Sequence, residues 1–285
     1  MKKIAILTDS TSCLDFLPHQ YDNIFLVRLT VSFDQEEFID GETINPETFY
    51  QRIQSSNCIP KTSQPAIGQV VEIINHIKSL GYTDIIYMPI SKALSGTYQA
   101  GVLAQEFVED VTVHCVNTRL AASFLGYLVL NAAKLVESGQ TVSQILESTE
   151  KLIDSSRVNF CIKDIKYLVK NGRLSNASGF FGSLLQIIPI IEFNKQGEIV
   201  AIEKTRTAKK AVNELVSKLC QEIEGVKKVQ FFVCHTNDTD LLERAKEQLQ
   251  AHLNLEDIIF TPIPPVIGAH VGSSAIGLGY FILEK

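Results

Sequence analysis

The chain has 285 residues, of which 45% are hydrophobic, and this is enough to bury one large or two modest cores. Its formal net charge is -6 and it carries no basic stripe, so nucleic acid is not expected as its main partner. A polar break soon after the first apolar run argues against a signal peptide, and no apolar run is long enough to cross a bilayer. Six scattered cysteines without zinc-like spacing predict structural thiols, and together these features predict a cytoplasmic protein.

Strands and helices alternate along the first half of the chain. The predicted strands are Lys3–Leu7, Ile24–Val31, Asp84–Ile90 and Val111–Val116. The predicted helices are Pro46–Ile53, Gly68–Leu80, Thr97–Val108, Arg119–Glu137 and Val142–Ser155. Alternation of this kind is typical of a parallel sheet that is covered by helices on both faces.

The regular alternation of strands and helices changes after about residue 156. The predicted strands are Val158–Ile162, Pro189–Asn194, Glu198–Thr205, Val229–His235, Ile258–Ile263 and Gly277–Leu283, and the predicted helices are Phe180–Ile188, Ala208–Glu224 and Asp240–Leu253. Lys195-Gln196-Gly197 is a hairpin signal, and a hairpin combined with two crossovers predicts a mixed sheet. We therefore expect an α/β protein with an N-terminal domain at 1–156 and a C-terminal domain at 157–285, packed closely together.

Two hydroxyl-rich segments, Lys61–Pro65 and Ser91–Tyr98, each read as a loop that opens a helix. Hydroxyls and backbone N–H groups at such a position can hold an anion. The second segment also follows a predicted strand, where open α/β sheets bind ligands. The Asp9–Ser12 segment ends the first strand and is open to two interpretations, a ligand site or a helix cap. No recognisable base or metal cluster accompanies these segments, so they predict a site that holds an anion rather than one that breaks a bond.

The common catalytic and cofactor motifs are missing from the sequence. There is no G-x-x-x-x-G-K-S/T phosphate loop and no G-x-S-x-G elbow around Ser95. Gly277-Leu278-Gly279 does not open a helix, so it is read as a place where a strand bends or approaches a ligand. No cofactor and no metal are expected.

Three further residues are candidates for contact with an anion. His270 lies in a segment of small residues, Gly268–Ser274, that predicts a flexible turn. A protonated His270 could neutralise an anion, and a hydrogen-bonded structural histidine is the alternative. Arg173 lies in the predicted turn Gly172–Ser175, and Arg206 ends a predicted strand. Isolated arginines are commonly solvated, but an arginine in a loop can also grip an anion.

Five segments, read in order, resemble the DegV family. They are Thr8-Asp9-Ser10, Thr62-Ser63-Gln64-Pro65, Leu94-Ser95-Gly96-Thr97-Tyr98, Gly172-Arg173-Leu174-Ser175 and Gly268-Ala269-His270-Val271-Gly272, and they span essentially the whole chain. The resemblance implies a bacterial fatty-acid-binding protein of two α/β domains, with the acyl chain held between them. It also implies the acyl-carrying, non-catalytic subunit of fatty acid kinase: a partner kinase phosphorylates the bound carboxylate with ATP, and the acyl phosphate feeds phospholipid synthesis.

The same resemblance implies roles for individual residues. Thr62 and Ser95 match the carboxylate-binding positions, with Ser63, Gly96 and His270 as neighbours of the head group. The two arginines, Arg173 and Arg206, become candidates for contact with the kinase or the acyl phosphate. The apolar Phe180–Ile188 helix becomes a candidate wall of the acyl tunnel, with ordinary core as the alternative.

Two other functions remain open from the residues alone. The first is a serine hydrolase or acyltransferase that uses Ser95 and His270, against which the missing nucleophile elbow counts. The second is a small-anion sensor, which predicts a polar pocket without a lipid.

Overall fold

The computed structural model describes residues 3–56, 58–175 and 187–284. Four strands form a parallel sheet in the order β2-β1-β6-β7, namely β1 (Ile4–Asp9), β2 (Ile24–Val27), β6 (Asp84–Met88) and β7 (Thr112–Cys115). Every residue of β1 is buried because both faces of the sheet are covered. Ala5 and Leu7 point to helices α2 (Ile67–Ser79) and α3 (Thr97–Ala104), and Ile4 and Ile6 point to α4 (Ala122–Glu137) on the other face.

Six later strands form a mixed sheet in the order β10-β9-β8-β13-β11-β12. They are β8 (Ser156–Ile162), β9 (Ile188–Phe193), β10 (Ile199–Thr205), β11 (Lys228–His235), β12 (Ile258–Pro262) and β13 (Ala275–Glu284). The β11–β12 pair is parallel and the other pairs are antiparallel. One face packs on α7 (Ala208–Glu222) and α8 (Thr239–Leu249), and the other face packs on α4.

Helix α4 therefore lies between the two sheets. Its Phe124 is 1% exposed and contacts the rings of Phe232 and Phe281 from the six-stranded sheet. On its other side the same apolar cluster includes Ile6 and Ile86 of the parallel sheet. Helix α5 (Val142–Asp154) packs beside α4. The two sheets thus share one layer of buried apolar side chains. A cavity between them would therefore be lined mainly by apolar groups.

A small antiparallel sheet, in the order β4-β3-β5, is formed by β3 (Thr30–Phe33), β4 (Glu36–Ile39) and β5 (Lys61–Ser63). It packs on α1 (Pro46–Ser55) and α9 (Pro265–Val271). The predicted strand Ile24–Val31 is wrong as a single element, because its two halves join different sheets. The apolar run hides the break at Arg28, whose guanidinium pairs with Asp15. Lys61–Ser63, predicted as a loop, is an edge strand.

The segment around His270 is also different from the prediction. The flexible turn predicted at Gly268–Ser274 is wrong over Gly268–Val271, which belong to the helix Pro265–Val271, while residues 272–274 follow the helix. Pro265 occupies the first helical position and Gly272 ends the helix with φ +76. A Cβ at Gly268 would lie 2.5 Å from the ring of Phe49, so the small residue serves close packing of a helix. The short helix α6 (Lys166–Lys170) was not predicted either.

The α/β fold class, with a parallel sheet followed by a mixed sheet, is confirmed. The division into domains at 1–156 and 157–285 stays a prediction, although the strands of the two large sheets fall on either side of it. Most of the predicted Phe180–Ile188 helix lies outside the described residues, and Ile188 begins β9. Across the described ranges, no helix is long and apolar enough to span a membrane.

Candidate functional site

A cavity of about 390 Å³ lies between the two large sheets. Its wall is mostly apolar and includes residues from both halves of the chain: Ile90, Phe124, Phe160, Leu168, Phe193 and Ile199. Cavities of this size and composition are typical of small-molecule sites in proteins. The fold therefore provides an apolar space for a ligand without a break in either sheet.

The wall includes a hairpin that reaches across to the first half of the chain. Phe193 ends β9 and Ile199 begins β10, and both line the cavity. At the turn between them, the Ser91 hydroxyl donates to the Gly197 carbonyl oxygen at 2.8 Å. A Cβ at Gly197 would lie 2.3 Å from Ser91 Oγ, so glycine is required for this close approach. The hydrogen bond connects the hairpin to the first half of the chain.

The polar end of the cavity is formed by short segments that are distant in sequence. Thr62, Ser63, Ser95, Gly96, Arg173 and His270 all line the cavity, and Gln64 lies beside them. Six of the seven predicted site residues are therefore brought to one cavity. The seventh, Arg206, is exposed just after β10 and is not among the lining residues.

Thr62 and His270 form a direct contact at this end, with Thr62 Oγ1 2.8 Å from His270 Nε2. Thr62 is fixed by β5, where it pairs with Val31, and His270 is fixed by helix α9. Burial and then the nearby charge of Arg173 lower the pKa of His270 to about 4. The imidazole is therefore neutral at pH 7, and the interpretation of His270 as a protonated ring is not supported.

Ser95 is held by its own loop at the start of α3. Its Oγ lies 2.7 Å from Thr97 Oγ1 and accepts the Thr97 N–H at 3.3 Å. Thr97 is fully buried, and its carbonyl oxygen accepts a hydrogen bond from Tyr87. In the described part of the chain, no histidine or carboxylate hydrogen-bonds to Ser95 Oγ, and His270 contacts Thr62 instead. The arrangement suits a hydrogen-bond donor better than an activated nucleophile.

Arg173 brings a positive charge to the same end. Its Nε donates to the Leu94 carbonyl oxygen at 3.2 Å, and its Nη1 donates to the carbonyl oxygen of Asn171. No carboxylate of the residues that the structure describes pairs with this guanidinium. The cation is thus held in place by neutral acceptors and remains available to an anion.

The polar end also meets the surface of the protein. An open cleft of about 740 Å³ shares Leu94, Ser95, Gly96 and Arg173 with the cavity. The outer part of the cleft is lined by polar and charged residues, namely Lys92, Gln99, Gln196 and Glu198. A group held at Ser95 therefore lies where the apolar cavity and the polar cleft meet.

Two buried acids near the cavity have structural contacts. The Asp9 carboxylate accepts from the Thr11 and Ile90 amides, which supports the cap interpretation of the Asp9–Ser12 segment. Asp40 accepts from the Val266 amide at 3.2 Å, near the start of α9. Burial raises the pKa of Asp40 to about 7, only partly offset by its hydrogen bonds. The sequence analysis missed Asp40, because the contact joins residues that are far apart in the chain and no motif marks it.

No group of three or more His, Cys, Asp or Glu side chains in the described ranges is arranged to hold a metal ion. The chemistry available at the polar end is thus that of the hydroxyls of Thr62, Ser63 and Ser95, a neutral imidazole and a guanidinium. These groups donate hydrogen bonds and positive charge to an oxyanion.

The fold and the cavity define an α/β protein with two large sheets and an amphipathic internal site between them. The chain belongs to the DegV family, whose sequence model matches residues 3–283. It is 35% identical over 280 residues to a DegV domain-containing protein of Staphylococcus aureus, covering 98% of this chain and 97% of that one.

Solved structures share the whole architecture. A fatty-acid-binding DegV family protein from Streptococcus agalactiae is 27% identical, with a TM-score of 0.90 and 99% of each chain covered. DegV from Bacillus subtilis, described as a fatty acid binding protein, is also 27% identical, with a TM-score of 0.87 over 99% of this chain and 100% of that one. The resemblance to the DegV family is therefore confirmed over nearly the full length.

Proposed function

We propose that the protein binds one long-chain fatty acid between its two halves, with the tail in the apolar part of the cavity and the carboxylate at Thr62 and Ser95. The observation that carries this proposal is the division of a single cavity into an apolar wall and one polar end. Solved relatives described as fatty-acid-binding proteins support the same ligand class. A small-anion sensor would not need the apolar part of the cavity.

The tail supplies most of the affinity in this account. Burial of a chain of ~16 carbons at ~0.8 kcal/mol per CH₂ gives a gross gain on the order of 12 kcal/mol, before the costs of ordering. The head group contributes orientation instead. A buried carboxylate is costly without partners, so the hydroxyls and Arg173 offset its loss of hydration.

The direction of each hydrogen bond at the polar end follows from the anion. A carboxylate is an acceptor, so the Thr62 hydroxyl must donate to it and cannot donate to His270 at the same time. His270 Nε2–H then donates to Thr62 Oγ1 across the 2.8 Å contact. Ser95 follows the same rule, with the Thr97 hydroxyl donating to Ser95 Oγ. The arriving negative charge also raises the pKa of His270 from its lowered value.

We further propose that the bound carboxylate is presented to an ATP-dependent partner kinase, so that the chain itself is not catalytic. Support comes from the open cleft that reaches Ser95 and Arg173, which gives a phosphate donor a route to the head group. The exposed Arg206 is available for contact with the kinase, and Arg173 for contact with the acyl phosphate. The product would feed phospholipid synthesis, and the use of ATP implies a cytoplasmic location.

The test removes the two hydroxyls. Thr62→Val combined with Ser95→Ala should lower fatty-acid affinity at least tenfold, because each hydrogen bond to a charged group contributes about 1.5–3 kcal/mol. Formation of acyl phosphate with the kinase and ATP should fall with it. Thr112→Val, on an exposed position of β7, is the matched control and should change neither. Wild-type affinity and phosphorylation in the double variant would remove these residues from the site.

A further inference from the structure

Asn171 connects two of the segments that form the polar end. Its side-chain Nδ2 donates to the carbonyl oxygen of Ala269 at 2.9 Å and to that of Pro60 at 3.3 Å. Ala269 directly precedes His270, and Pro60 lies two residues before Thr62. The side-chain amide of Asn171 therefore connects the backbone segment of Thr62 to the backbone segment of His270.

The position of Asn171 is itself fixed by the end of α6. Its N–H donates to the Tyr167 carbonyl oxygen, and the next residue, Gly172, turns the chain with φ +69. The amide of Arg173 then donates to the carbonyl oxygen of Leu168, which is fully buried. Because this turn is anchored in the core, the Asn171 side chain has a defined direction.

Asn171 also accepts a hydrogen bond from the group that brings charge to the site. Its main-chain carbonyl oxygen receives Arg173 Nη1. Asn171 thus contacts, through different atoms, the segments of Thr62 and His270 and the guanidinium of Arg173. Its own side chain is not among those that line the cavity.

These segments lie more than 90 residues apart in sequence, so only tertiary contacts set their spacing. A hydrogen bond weakens steeply when its distance or angle changes by a small amount. Binding groups on separate segments therefore depend on a supporting shell of contacts. The two hydrogen bonds donated by the Asn171 side chain supply such a contact from a residue that does not line the cavity.

We propose that Asn171 is a positioning residue that sets the Thr62–His270 hydrogen bond and, through it, the head-group end of the site. Its effect on fatty-acid affinity rests on the function proposed above. Its effect on the imidazole of His270 does not, since that ring can be observed without any ligand.

The experiment compares Asn171→Ala with Asn131→Ala. Asn131 is a matched control because it is also half-buried and donates its side-chain amide to a carbonyl oxygen, that of Tyr127 at 3.0 Å, but it lies in α4 and does not line the cavity. Asn171→Asp is a second variant that keeps the shape and removes the donor. The readouts are ¹⁵N NMR of the His270 ring, assigned with His270→Gln, and the affinity for a fluorescent fatty acid.

In Asn171→Ala we expect the affinity to fall about tenfold, because Thr62 loses the geometry for its hydrogen bond to the charged carboxylate. The His270 ring should change from one tautomer to a mixture and titrate closer to its ordinary range. Asn171→Asp should lose affinity as well, and it decides the case if Asn171→Ala does not fold. Asn131→Ala should leave the ring and the affinity unchanged, even where its melting temperature falls.

An unchanged His270 spectrum in the Asn171 variants would overturn the proposal, whether or not the affinity falls. The positioning role of Asn171 and the proposed function can fail separately. If the wild-type protein binds no fatty acid but Asn171→Ala still alters the His270 tautomer, the positioning role stands and the proposed function falls. If the wild-type protein binds fatty acid but the His270 ring does not respond to Asn171→Ala, the proposed function stands and the positioning role falls.

Discussion

The apolar wall of the cavity and its polar end are built in different ways. The wall comes from long strands and from α4, where side chains such as Phe124 are packed on several sides. The polar end comes from an edge strand, two short turns and a helix of seven residues. The comparison indicates that the wall contributes to the stability of the fold as well as to the proposed affinity for the tail, while the polar end serves the proposed orientation of the head group.

Phe124→Ala should disrupt the packing of the cavity wall and give the largest loss of stability. Loss of a fully packed ring between the two sheets should lower the free energy of unfolding by about 3–5 kcal/mol. Denaturant titration measures this change. Phe107, which is 66% exposed, provides the control, and Phe107→Ala should stay within about 0.5 kcal/mol of wild type. Similar losses for the two variants would contradict a closely packed wall.

Asp40→Asn should reveal the cost of a buried acid beside α9. The pKa of Asp40 is raised to about 7, so in the folded protein it keeps its proton at pH values where the unfolded chain has already released it. Its contribution to stability is therefore lost as the pH rises from about 4 to above 7. We expect Asp40→Asn to be more stable than wild type by about 4 kcal/mol at pH 8 and to differ little at pH 4. A difference that does not vary with pH would contradict the assignment.

Gly96→Ala should affect the polar end with little effect on stability. A Cβ there would lie 2.0 Å from Gln64 Oε1, so the Gln64 side chain must move. The backbone of Gly96 has φ -73, which alanine adopts without strain. We expect a loss of fatty-acid affinity of about fivefold and a change in unfolding free energy below about 1 kcal/mol.

Two further variants sharpen this test. Gln64→Ala in the Gly96→Ala background removes the clash and should recover part of the affinity. Gly68→Ala, where a Cβ meets nothing within 4 Å, is the control on the neighbouring helix. An affinity that falls equally in the Gly68 variant would show that the effect is not local to the polar end.

The sequence predicts the two large sheets better than it predicts the local structure of the segments that carry the polar end. Alternating strands and helices indicate the parallel sheet, and the hairpin at Lys195-Gln196-Gly197 indicates the mixed one. The break at Arg28 escapes prediction because the apolar run continues through it. Helix α9 could not be predicted, because its small residues, which pack against Phe49, resemble those of a flexible turn.

The motif residues Thr62, Ser95, Arg173 and His270 could be selected from the sequence, but their supports could not. Asn171 and Asp40 act through backbone groups that are 98 and 226 residues away, respectively, and such contacts leave no local pattern. The neutral state of His270 likewise depends on burial and on Arg173, which only the assembled cavity provides.

The most direct test of the central claim is native mass spectrometry of the purified protein, followed by extraction and identification of any bound molecule. The account predicts one fatty acid per chain, retained in the wild-type protein and reduced in Thr62→Val combined with Ser95→Ala. A ligand-free mass that remains unchanged after incubation with long-chain fatty acids would contradict it.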